Sequence, residues 1–304
     1  MTLFQSIILG LVQGVAEFLP ISSSGHLLLA QRLFGLQEVP PLFDIVLHLP
    51  SLLAVCIFFR KKIARLFAVL FRWILRRNAD AAGDISQAQD GANENRSQAQ
   101  EAAAALDTLA GSDALGRKTI VAVIITTLVT GAIGVFTSKL LDGLPIKAVF
   151  CGFLFTAALL VASGLLRKRA EMGLQAQKTA AARGLSWAQA ALIGLMQGIG
   201  TLPGVSRSGS TISGALFCGV DRTAAGEYSF IVSIPAILGA FVLEARHAGQ
   251  MSGVGAVNLI AACLVCFAAA YASLALLMKL VKKGRLEWFA AYLIPLGIAG
   301  LLFF

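Results

Sequence analysis

Glu17, Ser22, Ser23, Ser24 and His26 lie within ten residues of one another at the end of an apolar N-terminal run. A carboxylate, three hydroxyls and an imidazole so close together can bind a hard cation, supply a nucleophile and move a proton. Gln13 and Glu17 are spaced i, i+4, so one helix face carries both. A charged carboxylate at membrane depth costs about 3 kcal/mol or more, so it needs a partner or a purpose. Pro20 ends that helix, and the three serines supply N-cap chemistry for the next one.

A relative of this stretch appears 184 residues further on. Between Gly10–His26 and Gly194–Ser210, seven of seventeen positions are identical: Gly10, Leu11, Gln13, Gly14, Ser22, Ser24 and Gly25. Typical residue frequencies give roughly one match by chance. The second copy, Ser206-Arg207-Ser208-Gly209-Ser210-Thr211, repeats the cap and adds a guanidinium. Free N–H groups at a helix start, hydroxyls and one Arg suit a phosphate group. Glu17, helped by Gln13, is the candidate ligand for Mg²⁺ or Ca²⁺. Arg207 is placed to neutralise charge on a diphosphate as a bond breaks. Either His26 or Ser23 could attack phosphorus, the other helping with proton transfer. Taken singly, serines at a helix start are usually caps, and Glu17 with Arg207 could be a buried ion pair and nothing more. Their joint presence at paired helix breaks favours a site. His48, one turn before Pro50, reads as structural, Asp44 and Glu227 as neighbours of the site or gating residues, and Asp221 as a helix cap.

The elements that position these residues are membrane helices. The 304 residues are 57% hydrophobic and 13% charged, with a mean hydropathy of +0.80. Soluble domains carry about 25% charged residues, and a β-barrel would alternate over segments of about ten. Here the apolar runs are continuous. The net charge of +9 does not imply nucleic acid, because 16 of the 25 basic residues flank apolar spans, at 60–77, 167–183 and 279–285. The positive-inside rule accounts for them. Five scattered cysteines, including Cys263-x-x-Cys266, read as small buried residues. A cleaved signal peptide is not expected, since Met1-Thr2-Leu3-Phe4-Gln5 has no basic start.

The fold class expected is an all-α polytopic membrane protein forming one membrane domain over 1–304. Residues 3–19 and about 24–35 are too short for a core of about 30 Å, so they read as a re-entrant pair. Trp187–Gly200 and Gly209–Gly219 read as the second such pair. Six full spans are expected at 42–59, 119–138, 146–166, 223–243, 254–278 and 288–304. Residues 63–75 look like an amphipathic surface helix, and 78–116 a solvated cytoplasmic insertion with transient helix near 97–110. Treating both pairs as re-entrant puts all three basic clusters on one side and makes an inverted-topology repeat of 1–138 and 146–304. The echo of Phe43-Asp44-Ile45-Val46-Leu47-His48-Leu49-Pro50 in Tyr228-Ser229-Phe230-Ile231-Val232-Ser233-Ile234-Pro235 supports the duplication. Such repeats place polar sites near the bilayer midplane.

Gln13-x-x-x-Glu17 followed by Pro20-Ile21-Ser22-Ser23-Ser24-Gly25-His26 resembles the first signature of the undecaprenyl-diphosphate phosphatase family linked to bacitracin resistance. Pro203-Gly204-Val205-Ser206-Arg207-Ser208-Gly209-Ser210-Thr211 resembles its second, and Ser229-Phe230-x-x-Ser233-Ile234-Pro235-Ala236 is also similar. The resemblance implies a multi-pass enzyme of the bacterial inner membrane that hydrolyses a C55 isoprenyl diphosphate to the monophosphate carrier, its site opening to the periplasm. It associates Gln13 and Glu17 with divalent metal. Ser23, His26, Ser206, Arg207 and Thr211 fall to the diphosphate, with Ser22, Ser24, Ser208 and Gly209 around them. A homodimer is compatible with it. A different class, a lipid-phosphate transporter using the same inverted repeat, is the alternative. Two features depart from the family pattern: Gln stands at position 13, and the 78–116 insertion is long.

Overall fold

The computed structural model describes residues 1–36, 39, 41–75, 113–141, 144–172, 184–245 and 254–304. Among these are eleven helices and no strand: α1 (Leu3–Phe18), α2 (Ser23–Leu33), α3 (Pro41–Phe58), α4 (Arg60–Ile74), α5 (Asp113–Leu141), α6 (Lys147–Met172), α7 (Trp187–Ile199), α8 (Arg207–Phe217), α9 (Arg222–Ala245), α10 (Ala256–Lys283) and α11 (Trp288–Phe303). Large apolar side chains such as Leu128, Phe136, Leu264 and Leu276 lie exposed on the long helices. That surface suits lipid and not water.

Both broken pairs start the same way. Thr2 caps α1 by accepting from the Gln5 N–H, while the Gln5 side chain accepts from the Thr2 N–H, a capping box. Ser186 and Gln189 repeat that box at the start of α7. Each lead helix then packs most closely on a long helix from the far end of the chain or its middle: α1 on α10, and α7 on α5. Small residues permit both contacts. A Cβ on Gly10 or Gly14 would run into the backbone of Ala262 or Cys266 on α10, and one on Gly194 or Gly198 into Thr126 or Ile133 on α5. Helices in lipid associate through such small-residue faces, because the hydrophobic effect does not draw them together there. Gly14→Leu should therefore cost roughly 1–3 kcal/mol through overpacking. The measurement is Tm of the purified protein, with the half-exposed Leu11→Ala as control; an unchanged Tm would contradict the close approach.

The core between the pairs is aromatic. Phe18 of α1 meets Phe230 of α9 edge-on at 5.5 Å, and Phe230 stacks on Phe59 at 6.2 Å. Phe150 and Phe153 of α6 join the same buried cluster. Pro50 and Pro235 sit inside α3 and α9, which pack on each other.

Several bounds differ from the sequence reading. Among the described residues, four helices are long and apolar enough to cross a membrane, at 113–137, 147–165, 222–243 and 256–283. The bent pair α3 and α4, turned by 80°, makes a fifth if taken as one span. At 16 residues, α11 falls just below the usual length of a crossing. The insertion expected over 78–116 has its last four residues inside α5. Asp113 stabilises that earlier start: an acid in the first turn suits the helix dipole, and Arg72 of α4 grips it through two hydrogen bonds of 3.0 and 2.6 Å. The expected transient helix at 97–110 lies outside the described residues. Likewise α6 runs on to Met172, so the basic loop expected from 167 begins as helix. The amphipathic α4 buries Leu66 and Val69 and packs on α5.

Candidate active site

The first break follows from Pro20, which lacks the N–H that would continue the α1 ladder. Ser22 then takes a left-handed backbone, φ 72°, and it is the one non-glycine residue with positive φ among the described residues. A non-glycine held there costs of order 1–3 kcal/mol and persists where its surroundings impose it. Ser22 Oγ accepts from the Gly25 N–H at 3.4 Å and caps α2. One residue on, Ser23 Oγ donates to Glu17 Oε2 at 2.7 Å, and from the helix turn below Gln13 Nε2 donates to the same oxygen at 2.9 Å.

The second break delivers the cation. Ser206 caps α8, its Oγ accepting from the Gly209 N–H at 3.1 Å, and its own N–H donates to Thr156 Oγ1 on α6 at 2.9 Å. This anchors the first residue of α8, Arg207, whose Nη2 pairs with Glu17 Oε1 across 190 positions of chain. Arg207 is the counterpart of Ser23 at the 184-residue offset, so the two equivalent positions close on one carboxylate from opposite sides. His48 of α3 adds its Nε2 at 3.8 Å from Glu17 Oε2.

Glu17 is therefore the node of the site, with its side chain 3% exposed against 21% for Arg207. A buried carboxylate is tolerable when paired and hydrogen-bonded, and here both oxygens are engaged. The hydroxyl of Ser23 is polarised by a carboxylate and lies beside a guanidinium that can receive an anion. Nucleophile, proton acceptor and charge stabiliser thus come together in one place.

Other expected residues stand further off. His26 turns away from Glu17: its ring nitrogens meet the Ser22 carbonyl and the Tyr292 hydroxyl of α11, both at 2.8 Å. Thr211 donates to the Arg207 carbonyl at 2.7 Å and packs buried beside Gln197. Ser208 and Gly209 are buried in the first turn of α8, and Ser24 is exposed on α2. Asp44 accepts from Gln31 at 2.9 Å, Glu227 pairs with Lys62 at 2.5 Å, and Asp221 caps α9 as expected. Sequence reasoning missed Tyr292, which sits in an apolar helix, and did not connect His48 with Glu17. Its place one turn after Asp44 on a helix bearing Pro50 gave only a structural signal.

The fit of a divalent cation turns on Gln13. Its Oε1 is buried without a hydrogen-bond partner while its amide nitrogen holds Glu17. A bare amide oxygen beside a carboxylate is a hard-donor set, and Mg²⁺ is commonly held by one or two carboxylates plus substrate phosphates. No group of three or more His, Cys, Asp or Glu gathers among the described residues. The site therefore suits a cation that relies on the substrate's oxygens, and the residues present fit one.

Comparison with known proteins agrees along the whole chain. The family described as bacitracin resistance protein BacA matches residues 6–299. The chain is similar to an undecaprenyl-diphosphatase of Treponema denticola, 42% identical over 305 residues, covering 100% of this chain and 98% of that one. It is also similar to undecaprenyl-diphosphatases of Desulfatibacillum aliphaticivorans, 36% identical over 94% and 93% of the two chains, and Desulfosudis oleivorans, 34% identical over 96% and 95%. With both helix breaks and almost every residue between them inside the match, this chain belongs to the bacitracin resistance protein BacA family.

Proposed function

We propose that this protein hydrolyses undecaprenyl diphosphate to undecaprenyl phosphate and inorganic phosphate in the bacterial plasma membrane. That reaction recycles the lipid carrier of cell-wall synthesis and accounts for bacitracin resistance. The observation that carries the chemistry is the meeting of Ser23, Glu17 and Arg207 at the junction of the two motifs.

The arriving diphosphate competes for Arg207, whose planar fork matches phosphate oxygens. As the guanidinium turns to the phosphate, Glu17 is left free to accept the Ser23 proton. Ser23 Oγ forms a bond to the terminal phosphorus while the bridging P–O bond breaks, and undecaprenyl phosphate leaves. Water then attacks the phosphoserine, releasing inorganic phosphate and restoring the hydroxyl. Ser22, Ser24, Ser206, Ser208 and Gly209 present the two helix starts to the anion. Ser23 is favoured over His26 as nucleophile because its oxygen already touches the carboxylate. A divalent cation held by Glu17 and Gln13 Oε1 would neutralise charge on the diphosphate. A transporter has no need of a hydroxyl aligned on a carboxylate, so the hydrolase is the better reading.

The finer architecture belongs to the same proposal. Six crossings and two re-entrant pairs form an inverted repeat, supported by the capping boxes 184 residues apart and the matched packing of α1 on α10 and α7 on α5. Charge parity puts the basic clusters in the cytoplasm and opens the site to the periplasm.

Purified protein should release phosphate from undecaprenyl diphosphate, and excess chelator should abolish at least about 90% of the rate, metal removal costing several kcal/mol of charge stabilisation. Full turnover in chelator would defeat the metal assignment. No phosphate release in the presence of Mg²⁺ or Ca²⁺ would defeat the function.

A further inference from the structure

Tyr292 of α11 reaches the first motif, and the proposed chemistry leaves it without a role. Its hydroxyl lies 2.8 Å from His26 Nε2, and its ring stacks on the imidazole at 5.7 Å with 23° between planes. Phe153 of α6 also packs on the imidazole, at 5.2 Å and 45°. Two aromatic rings and two hydrogen bonds thus hold one side chain.

The bonds decide where the proton sits. His26 Nδ1 lies 2.8 Å from the carbonyl oxygen of Ser22, and a carbonyl oxygen can only accept. Nδ1 therefore donates and carries the hydrogen. In the neutral ring Nε2 is then the acceptor, and the Tyr292 hydroxyl donates to it. The same Ser22 carbonyl accepts the His26 backbone N–H at 3.2 Å. The left-handed backbone of Ser22 accordingly serves His26 twice.

We propose that Tyr292 is a positioning residue that orients the His26 ring, holding the Nε2 lone pair toward α11 in the Nδ1-protonated tautomer that the Ser22 carbonyl selects. Any proton or phosphoryl group that His26 handles passes through Nε2. A substrate or water oxygen that takes the place of the phenol meets a nitrogen already oriented, with no ring flip required. Tyr292 itself is half-exposed, so its side chain can swing away without opening the core. The kinetic part of this inference rests on the phosphatase reading; the tautomer does not.

The test uses the full chain, ¹⁵N-labelled at histidine, in lipid nanodiscs at about pH 8, near and above the ordinary histidine range. The protein has three histidines, so a His26→Asn spectrum identifies the His26 signals by difference. Wild type should show Nδ1 protonated and Nε2 as an unprotonated, hydrogen-bonded nitrogen. Tyr292→Phe keeps the aromatic neighbour, and it should shift Nε2 toward a nitrogen without a hydrogen-bond donor while Nδ1 stays protonated on the Ser22 carbonyl. Phosphate release should fall about tenfold in kcat with KM changed less than twofold, a small part of what a proton-transfer group contributes. In a His26→Asn background the same substitution should cost nothing further, since the two residues act as a unit. A wild-type ring protonated on Nε2, or a Tyr292→Phe spectrum identical to wild type, overturns the assignment. A wild-type protein that releases no phosphate overturns the function and leaves the spectra to decide the tautomer.

Discussion

Ser23→Ala should lower phosphate release from undecaprenyl diphosphate by about a million-fold, the scale seen when the attacking hydroxyl is removed from a site that still binds substrate. The size follows from what the hydroxyl does. In the proposed reaction its oxygen is the atom that bonds phosphorus, and it already donates to Glu17 Oε2 at 2.7 Å. Alanine removes that oxygen and leaves Glu17 held by Gln13 and Arg207, so the site keeps its shape. The cost to stability is one hydrogen bond to a charged group, about 1.5–3 kcal/mol. Rapid quench of wild type on radiolabelled substrate should trap phosphate on Ser23. A variant within tenfold of wild type, or label on His26, would move the attack to the imidazole.

Glu17→Ala and Arg207→Ala each reduce turnover at least about 100-fold, the loss expected for one main electrostatic contributor. They differ in what they leave behind. Removing Glu17 strands a guanidinium that is four-fifths buried, and orphaning a buried charge costs about 3–5 kcal/mol, less here because the Arg207 side chain keeps some solvent. Removing Arg207 strands a carboxylate that is almost wholly buried, with the His48 ring 3.8 Å away. Glu17→Gln separates the effects: it keeps the shape and one acceptor oxygen, loses the acceptor that its NH2 replaces, and loses the charge that takes the Ser23 proton. Arg207→Lys keeps a charge without the planar fork, so it should recover little of the loss. If Glu17→Gln turns over normally while folding normally, Glu17 is a structural ion-pair partner only.

Much of this site is legible in the chain because its parts are local. The i, i+4 pair of Gln13 and Glu17, the stop at Pro20 and the serine cap each follow from helix geometry within one or two turns. The second motif is readable because it copies the first. Contacts between copies are another matter. The sequence raises a Glu17–Arg207 pair, but not that Ser23, the equivalent of Arg207 by duplication, converges on the same carboxylate, because that depends on how two helix pairs cross in space. Tyr292 is further from view: it lies 266 positions from His26 in an apolar helix where an aromatic residue usually means packing. His48 has a local explanation in its neighbouring Pro50, and that explanation hides its approach to Glu17. The helix ends at Asp113 and Met172 were missed because polar residues there continue helices whose apolar part had already ended.

The pairing of Glu17 with Arg207 also sets a schedule for biogenesis. The two residues are 190 positions apart, so at 5–20 residues per second roughly 10–40 s of synthesis separate them. Through that interval the carboxylate has no guanidinium, and α1 lacks α10, the helix that receives Gly10 and Gly14. A short helix with an unneutralised acid is a poor candidate for early release into hydrocarbon. The N-terminal pair must therefore wait in a protected place until nearly the whole polypeptide has been made. Its final seating is then a late, concerted event of assembly and not the first step of insertion.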